Sequence, residues 1–166
     1  MKTSLVILSI ILIVSLFLPF LYFVLNGTRN TASTKKLINS ALKDSGIIYR
    51  LKEIWRKNFI GISNDHKILT NIYFEMEKTI VTNINLAEIK QCFVIKNYNY
   101  DKQKITGLKN LCLELSYKSS GKPNTIINFY DVDKDLSEDF ELQRIEKWHK
   151  LITDAISEQQ ILKTAS

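Results

Sequence analysis

The chain has 166 residues, a net charge of +6 and 45% hydrophobic residues, enough for one core-bearing domain of about 120 residues beyond a leading segment and a linker. Two cysteines are too few for a disulfide scaffold, and five scattered glycines cannot form a phosphate-cradling loop. The positive excess lies between Arg29 and Lys57, with eight basic residues against two acids, whereas from Lys67 onward 14 of each sign balance; with no basic stripe interleaved by aromatics, nucleic acid is excluded as a partner.

Leu5 to Leu25 is a run of 21 uncharged residues. As a helix it would reach about 32 Å, close to the ~30 Å hydrocarbon thickness of a bilayer, so the sequence predicts a single transmembrane helix. Pro19 would kink its end and Tyr22 would sit at the interface. A cleaved signal is the rival reading, but the run exceeds the about 7–15 residues of a signal core and lacks a small-residue cleavage site. Arg29, Lys35, Lys36 and Lys43 follow the run, against Lys2 and the α-amine before it, which places the C-terminal part in the cytoplasm. The expected organisation is a transmembrane anchor over 1–27, a basic juxtamembrane linker over 28–46 and a folded domain over 47–166.

Ser33 or Thr34 can cap a short helix that runs to about Asp44, with Gly46 as its stop. Ile47 to Trp55 reads as a strand. Asn58–Ser63 and Lys67–Phe74 form a hairpin around Ser63-Asn64-Asp65-His66, with His66 a solvated turn residue. Glu75–Lys78 is a turn, and the β-branched run Thr79–Leu86 is a further strand. A corner at Leu86–Ile89 leads to a strand over Lys90–Tyr98. Asn97–Gly107 is polar and reads as a long hairpin loop. Leu108–Tyr117 alternates, with Leu111, Leu113 and Leu115 on one face. Ser119, Ser120, Gly121 and Pro123 mark a turn before a last strand, Thr125–Val132. Cys92 and Cys112 fall in apolar strands and are expected as free, buried thiols.

A helix is predicted from about Leu136 to Leu162, entered through an Asp135/Glu138 capping box. Phe140, Leu142, Ile145, Trp148, Leu151, Ile152, Ala155 and Ile156 supply its apolar face. Short antiparallel strands followed by one amphipathic helix give an α+β domain. The expected fold is a β-barrel or sandwich of about six or seven strands, closed by the C-terminal helix with Trp148 as the plug; Ile145, Ile152 and Phe129 pack around it.

Asn85-Leu86-Ala87-Glu88-Ile89-Lys90-Gln91-Cys92 resembles the strand and domain-turning corner of the pleckstrin-homology-like (PH-like) domains of bacterial membrane-tethered proteins. Phe129-Tyr130-Asp131 and Ile145-Glu146-Lys147-Trp148 resemble their last strand and Trp-bearing helix. The likeness spans Asn58 to Ile156. It implies a PH-like fold in a single-pass protein of the bacterial inner (plasma) membrane, and a non-enzymatic scaffold that binds phosphoinositide headgroups in some relatives and peptides or proteins in others.

No catalytic, metal or cofactor constellation is legible. His66 and His149 have no partner at metal-ligand spacing, and His149 reads as a helix-surface residue. Asp131, Asp133 and Asp135 alternate but lack the glycine and terminal glutamate of a calcium loop. The expected function is recognition of a protein or peptide at a sheet edge or beside the C-terminal helix. The alternative is a sensor of anionic lipid headgroups, with Lys35, Lys36, Arg50, Lys52, Arg56 and Lys57 as the candidate contacts.

Overall fold

The computed structural model describes residues 12–19, 34–43, 45–56, 58–75, 78–101, 104–135, 137–138 and 140–164. The chain forms two compact units, Met1–Ile47 with Ile54–Lys57, and Ile48–Glu53 with Asn58–Ser166.

In the first unit, residues 12–19 and 34–43 are helical. The second of these segments ends as the sequence predicts: Ser45 donates from N (3.1 Å) and Oγ (2.7 Å) to the Leu42 carbonyl, and Gly46 takes a left-handed φ of 63°. The predicted membrane span Leu5–Leu25 requires correction. Residues 5–11 and 20–25 of that run lie outside the described residues. Among the described residues no helix is long and apolar enough to cross a membrane. The anchor, the single-pass character and the inner-membrane location drawn from that run are therefore withdrawn.

The second unit carries two antiparallel sheets. Four strands, β1 (Tyr49–Trp55, whose last two residues belong to the first unit), β2 (Asn58–Ser63), β3 (Ile68–Glu75) and β4 (Lys78–Asn85), pair in chain order. A 3₁₀ turn, Leu86–Glu88, leads to β5 (Ile89–Asp101), β6 (Lys104–Tyr117) and β7 (Thr125–Asp131), again in chain order. The C-terminal helix (Glu141–Thr164) packs on β5, β6, β7 and the 3₁₀ turn. The expected closed barrel is not formed. Among the described residues β4 pairs only with β3 and β5 only with β6, and no ladder joins the four-stranded sheet to the three-stranded one.

The β2–β3 hairpin is fixed by its turn. Ser63 Oγ donates to Asp65 Oδ1 (2.6 Å) and accepts from the Ile68 amide (2.9 Å). His66 adopts a φ of 56°, a geometry a two-ended turn imposes on its closing residue. It is not solvated as expected: its side chain is 17% exposed, Nδ1 bonds Glu158 of the C-terminal helix, and Nε2 faces Arg50 Nη1 at 3.3 Å.

β2 is buried along its whole length, which matches its nearly continuous apolar run. It leaves no room at Gly61, where an added Cβ would stand 2.7 Å from Tyr49 Cδ1 and 2.9 Å from Phe59 Cζ. Those two rings meet edge to face at 5.3 Å, and Tyr49 Oη is held by Thr70 Oγ1 at 2.8 Å, so neither yields freely. Gly61→Ala is expected to destabilise by about 1–3 kcal/mol in a urea titration, the usual cost of overpacking.

Two expected features are displaced. The predicted loop Asn97–Gly107 is instead paired backbone, with Tyr98 opposite Leu108, Asn99 opposite Gly107 and Tyr100 opposite Ile105. Irregularities beside Asn97 and Asn99 absorb the extra residues Lys109 and Thr106 of β6. The C-terminal helix begins at Glu141 rather than near Leu136. Phe140 lies just before it with a φ of 59°, which no right-handed helix can propagate through. The capping box is replaced by a knotted turn: Asp135 Oδ2 accepts the Asp131 amide (3.0 Å), and the Asp131 carbonyl accepts the amide of Asp135 (2.8 Å). Phe140, expected on the apolar face, is 67% exposed.

Candidate functional site

The helix face that builds the core is Ile145, Trp148, Ile152, Ala155 and Ile156, at three- and four-residue spacing and all buried. Phe129 of β7 is buried as well. The indole nitrogen of Trp148 donates 2.8 Å to Glu53 Oε2 on β1. Arg144 Nε donates to Glu53 Oε1 (2.8 Å) and Lys147 Nζ to Oε2 (2.9 Å). Burial pushes the Glu53 carboxyl upward, but the hydrogen bonds from Lys147, Arg144 and Trp148 outweigh it and hold the group below the usual carboxylate range. With both oxygens engaged, Glu53 clamps β1 to the helix and is not a free base. The sequence does carry a signal for it: Tyr49, Leu51 and Glu53 share the inward phase of β1 while Arg50 and Lys52 point out. The lone acid in an apolar phase marks a residue with a buried partner.

The six predicted anion contacts are divided between the two units. Lys35 and Lys36 are exposed on residues 34–43 and Arg56 follows β1 with a φ of 47°, all three in the first unit. Arg50 and Lys52 share the exposed face of β1 in the second unit, and Arg50 is engaged with His66. Lys57 lies outside the described residues.

Two concave sites are lined by described residues. Asn58, Tyr73, Asn128, Asp131, Lys134 and Asp135 line a cleft of about 30 Å³, room for a single water. Its cation, Lys134, bonds Glu75 at 3.0 Å. A shallow depression of about 300 Å³ lies beside Glu88, Tyr117, Lys118 and Lys122. There Lys122 bonds Glu88 at 2.8 Å and stands 4.1 Å from the centre of the Tyr117 ring, while Lys118 Nζ donates to the Ala87 carbonyl at 2.8 Å. His149, expected on the surface, donates from Nε2 to the Cys92 carbonyl at 3.0 Å. Among the described residues no three His, Cys, Asp or Glu side chains group to hold a metal ion.

The two sheets end on β1, β4, β5 and β7, and the outer edge of β4 is the one that displays exposed β-branched residues on adjacent positions. The strand is eight residues long, pairs with β3 on one side and ends the sheet on the other. Ile80 and Val81 are 46% and 43% exposed on its two faces. It opens on an exposed lysine, Lys78, but from Thr79 to Asn85 carries no further charge, proline or glycine to blunt the edge. The sequence shows the β-branched run, and only the topology shows that it is terminal.

Comparison with known proteins finds no match to any protein-family model, to any curated protein or to any solved structure.

Proposed function

We propose that this chain is a non-enzymatic binding module that takes an extended segment of a partner protein as an additional strand along β4. The observation that carries the reading is the terminal edge of β4, uncharged beyond Lys78, with Ile80 and Val81 exposed on either side. In such an addition the backbone ladder supplies affinity, and side chains on alternate faces supply selectivity. The apolar residues on both faces of the edge favour a β-branched or aromatic segment, since such pairs each contribute about 0.2–1 kcal/mol across a ladder.

The test is selection of extended peptides from a displayed library against the full chain, with affinities then measured for the chain and for an Ile80→Lys/Val81→Lys variant. Both positions are exposed, so the variant keeps its fold. The selected peptides are expected to lose at least about tenfold in affinity, because desolvating two lysines beside an apolar strand opposes docking. They are also expected to slow amide exchange along β4. Unchanged affinity in the variant would refute the reading.

A further inference from the structure

The face of β5 and β6 that carries the C-terminal helix continues past the end of that helix. Lys96 Nζ bonds Glu146 of the helix at 2.9 Å, which identifies the helix-bearing face of β5 as Cys92, Val94 and Lys96. Their cross-strand partners are Leu115, Leu113 and Leu111, all fully buried. The irregularities nearer the tip place their extra residues in β6, so the alternation of β5 runs on unbroken through Tyr98 and Tyr100. Tyr98 with Leu108 and Tyr100 with Ile105 therefore form two further rows on the same face.

The helix leaves the outermost row uncovered: Lys96 bonds Glu146, five residues into the helix, whereas Tyr100 and Ile105, further toward the tip, stay largely exposed. β7 stops at its pair of Asp131 with Asn110. The tip of β5–β6 is thus a two-stranded arm beyond the third strand. Tyr100 and Ile105 are 66% and 61% exposed there, and Tyr98 and Leu108 are half-buried. A bare two-stranded ribbon of this kind has little stability of its own.

We propose that this arm is a second docking surface, which takes an amphipathic helix with acidic flanks from a partner protein, laid on Tyr98, Leu108, Tyr100 and Ile105 in line with the chain's own C-terminal helix. Continuity with that helix seat fixes the class of occupant: the same face already holds a helix by apolar side chains in its rows and by a glutamate on Lys96. The exposed cations Lys104 and Lys109 on the arm outnumber its described acid, Asp101, which lies opposite Lys104. Acidic flanks on the incoming helix match that balance. Aromatic residues in the contact rows are the side chains that most often dominate such binding.

The probe is a fluorescent synthetic helix of about five turns with leucines along one face and glutamates flanking them. Its counterpart has lysine flanks. Binding to the full chain is read by anisotropy at two salt concentrations, and peptide helicity by circular dichroism. The glutamate-flanked peptide is expected to bind, to become helical, to weaken with added salt, and to exceed the lysine-flanked peptide by at least about tenfold. Tyr100→Ser/Ile105→Ser is expected to weaken it at least about tenfold, while Ile80→Lys/Val81→Lys leaves it unchanged, which separates this surface from the β4 edge. Failure of the glutamate-flanked peptide to bind, equal binding of both peptides, or full binding to the Tyr100→Ser/Ile105→Ser variant would overturn the proposal.

Discussion

Trp148→Ala is expected to destabilise the protein by about 3–5 kcal/mol, the range for removing a large aromatic from a packed interior. The side chain is 1% exposed, and helix neighbours Ile145 and Ile152 are fully buried, so the vacated volume has no mobile group to fill it. The substitution also removes the indole donor from Glu53 Oε2. Equilibrium urea unfolding gives the measurement, with a lower midpoint at unchanged slope as the expected form. Trp148→Phe separates the two contributions. It keeps most of the packed ring and loses only the hydrogen bond, so its cost should be about 1–2 kcal/mol. A loss below about 1 kcal/mol for the alanine variant would show that the helix does not seat on this residue.

Glu53→Ala is expected to cost about 2–3 kcal/mol. It removes the acceptor of the Trp148 Nε1 and one of two carboxylates beside the Arg144 guanidinium, whose side chain is 17% exposed and which keeps Glu141 at 3.6 Å, and losing charge-assisted hydrogen bonds at a largely buried site is costly. Lys147, 60% exposed, returns to water at little cost. The same group sets an acid dependence. Because the folded protein holds Glu53 below the usual carboxylate range, its contribution is fully present above the unfolded carboxylate pKa. It is lost as the pH falls through the lowered folded value. Stability measured from neutral pH downward should therefore decline more steeply in the parent protein than in Glu53→Gln, which has no carboxylate to protonate. Parallel declines in the two proteins would count against the clamp.

Strand positions followed from local sequence, while their assembly did not. β2 occupies the predicted Asn58–Ser63, and β4 lies one residue from the predicted Thr79–Leu86, because β-branched runs bounded by turn residues constrain the backbone directly. The arm at Asn97–Gly107 was hidden by its polar composition. A ladder is held by backbone groups, and asparagines such as Asn97, which donates to Asn110 Oδ1 at 2.8 Å, decorate it without revealing it. The late start of the C-terminal helix depends on the backbone at Phe140, and nothing in a phenylalanine signals a left-handed φ. Closure into a barrel was inferred from the order of strands and helix and from the PH-like resemblance, yet closure depends on whether first and last strands find each other. Hydropathy alone gave Leu5–Leu25 its span, and among the described residues no helix is long and apolar enough to carry one. Of the candidate surfaces, β4 was legible as a strand and not as an edge. Glu53 was legible as an inward acid, but its partners lie 91 to 95 residues away in the chain.

Cys92 and Cys112 are buried on adjacent strands without being opposite one another; each faces a different residue, Leu115 and Ile95. Burial pushes the Cys92 thiol up to about 12, so at pH 8 only about one molecule in ten thousand carries the reactive thiolate. Alkylating reagents consequently bypass the closed protein and capture it only during excursions that part β5 from the helix. The rate at which this sulfur is trapped is a clock, already installed in the chain, for how often that layer opens.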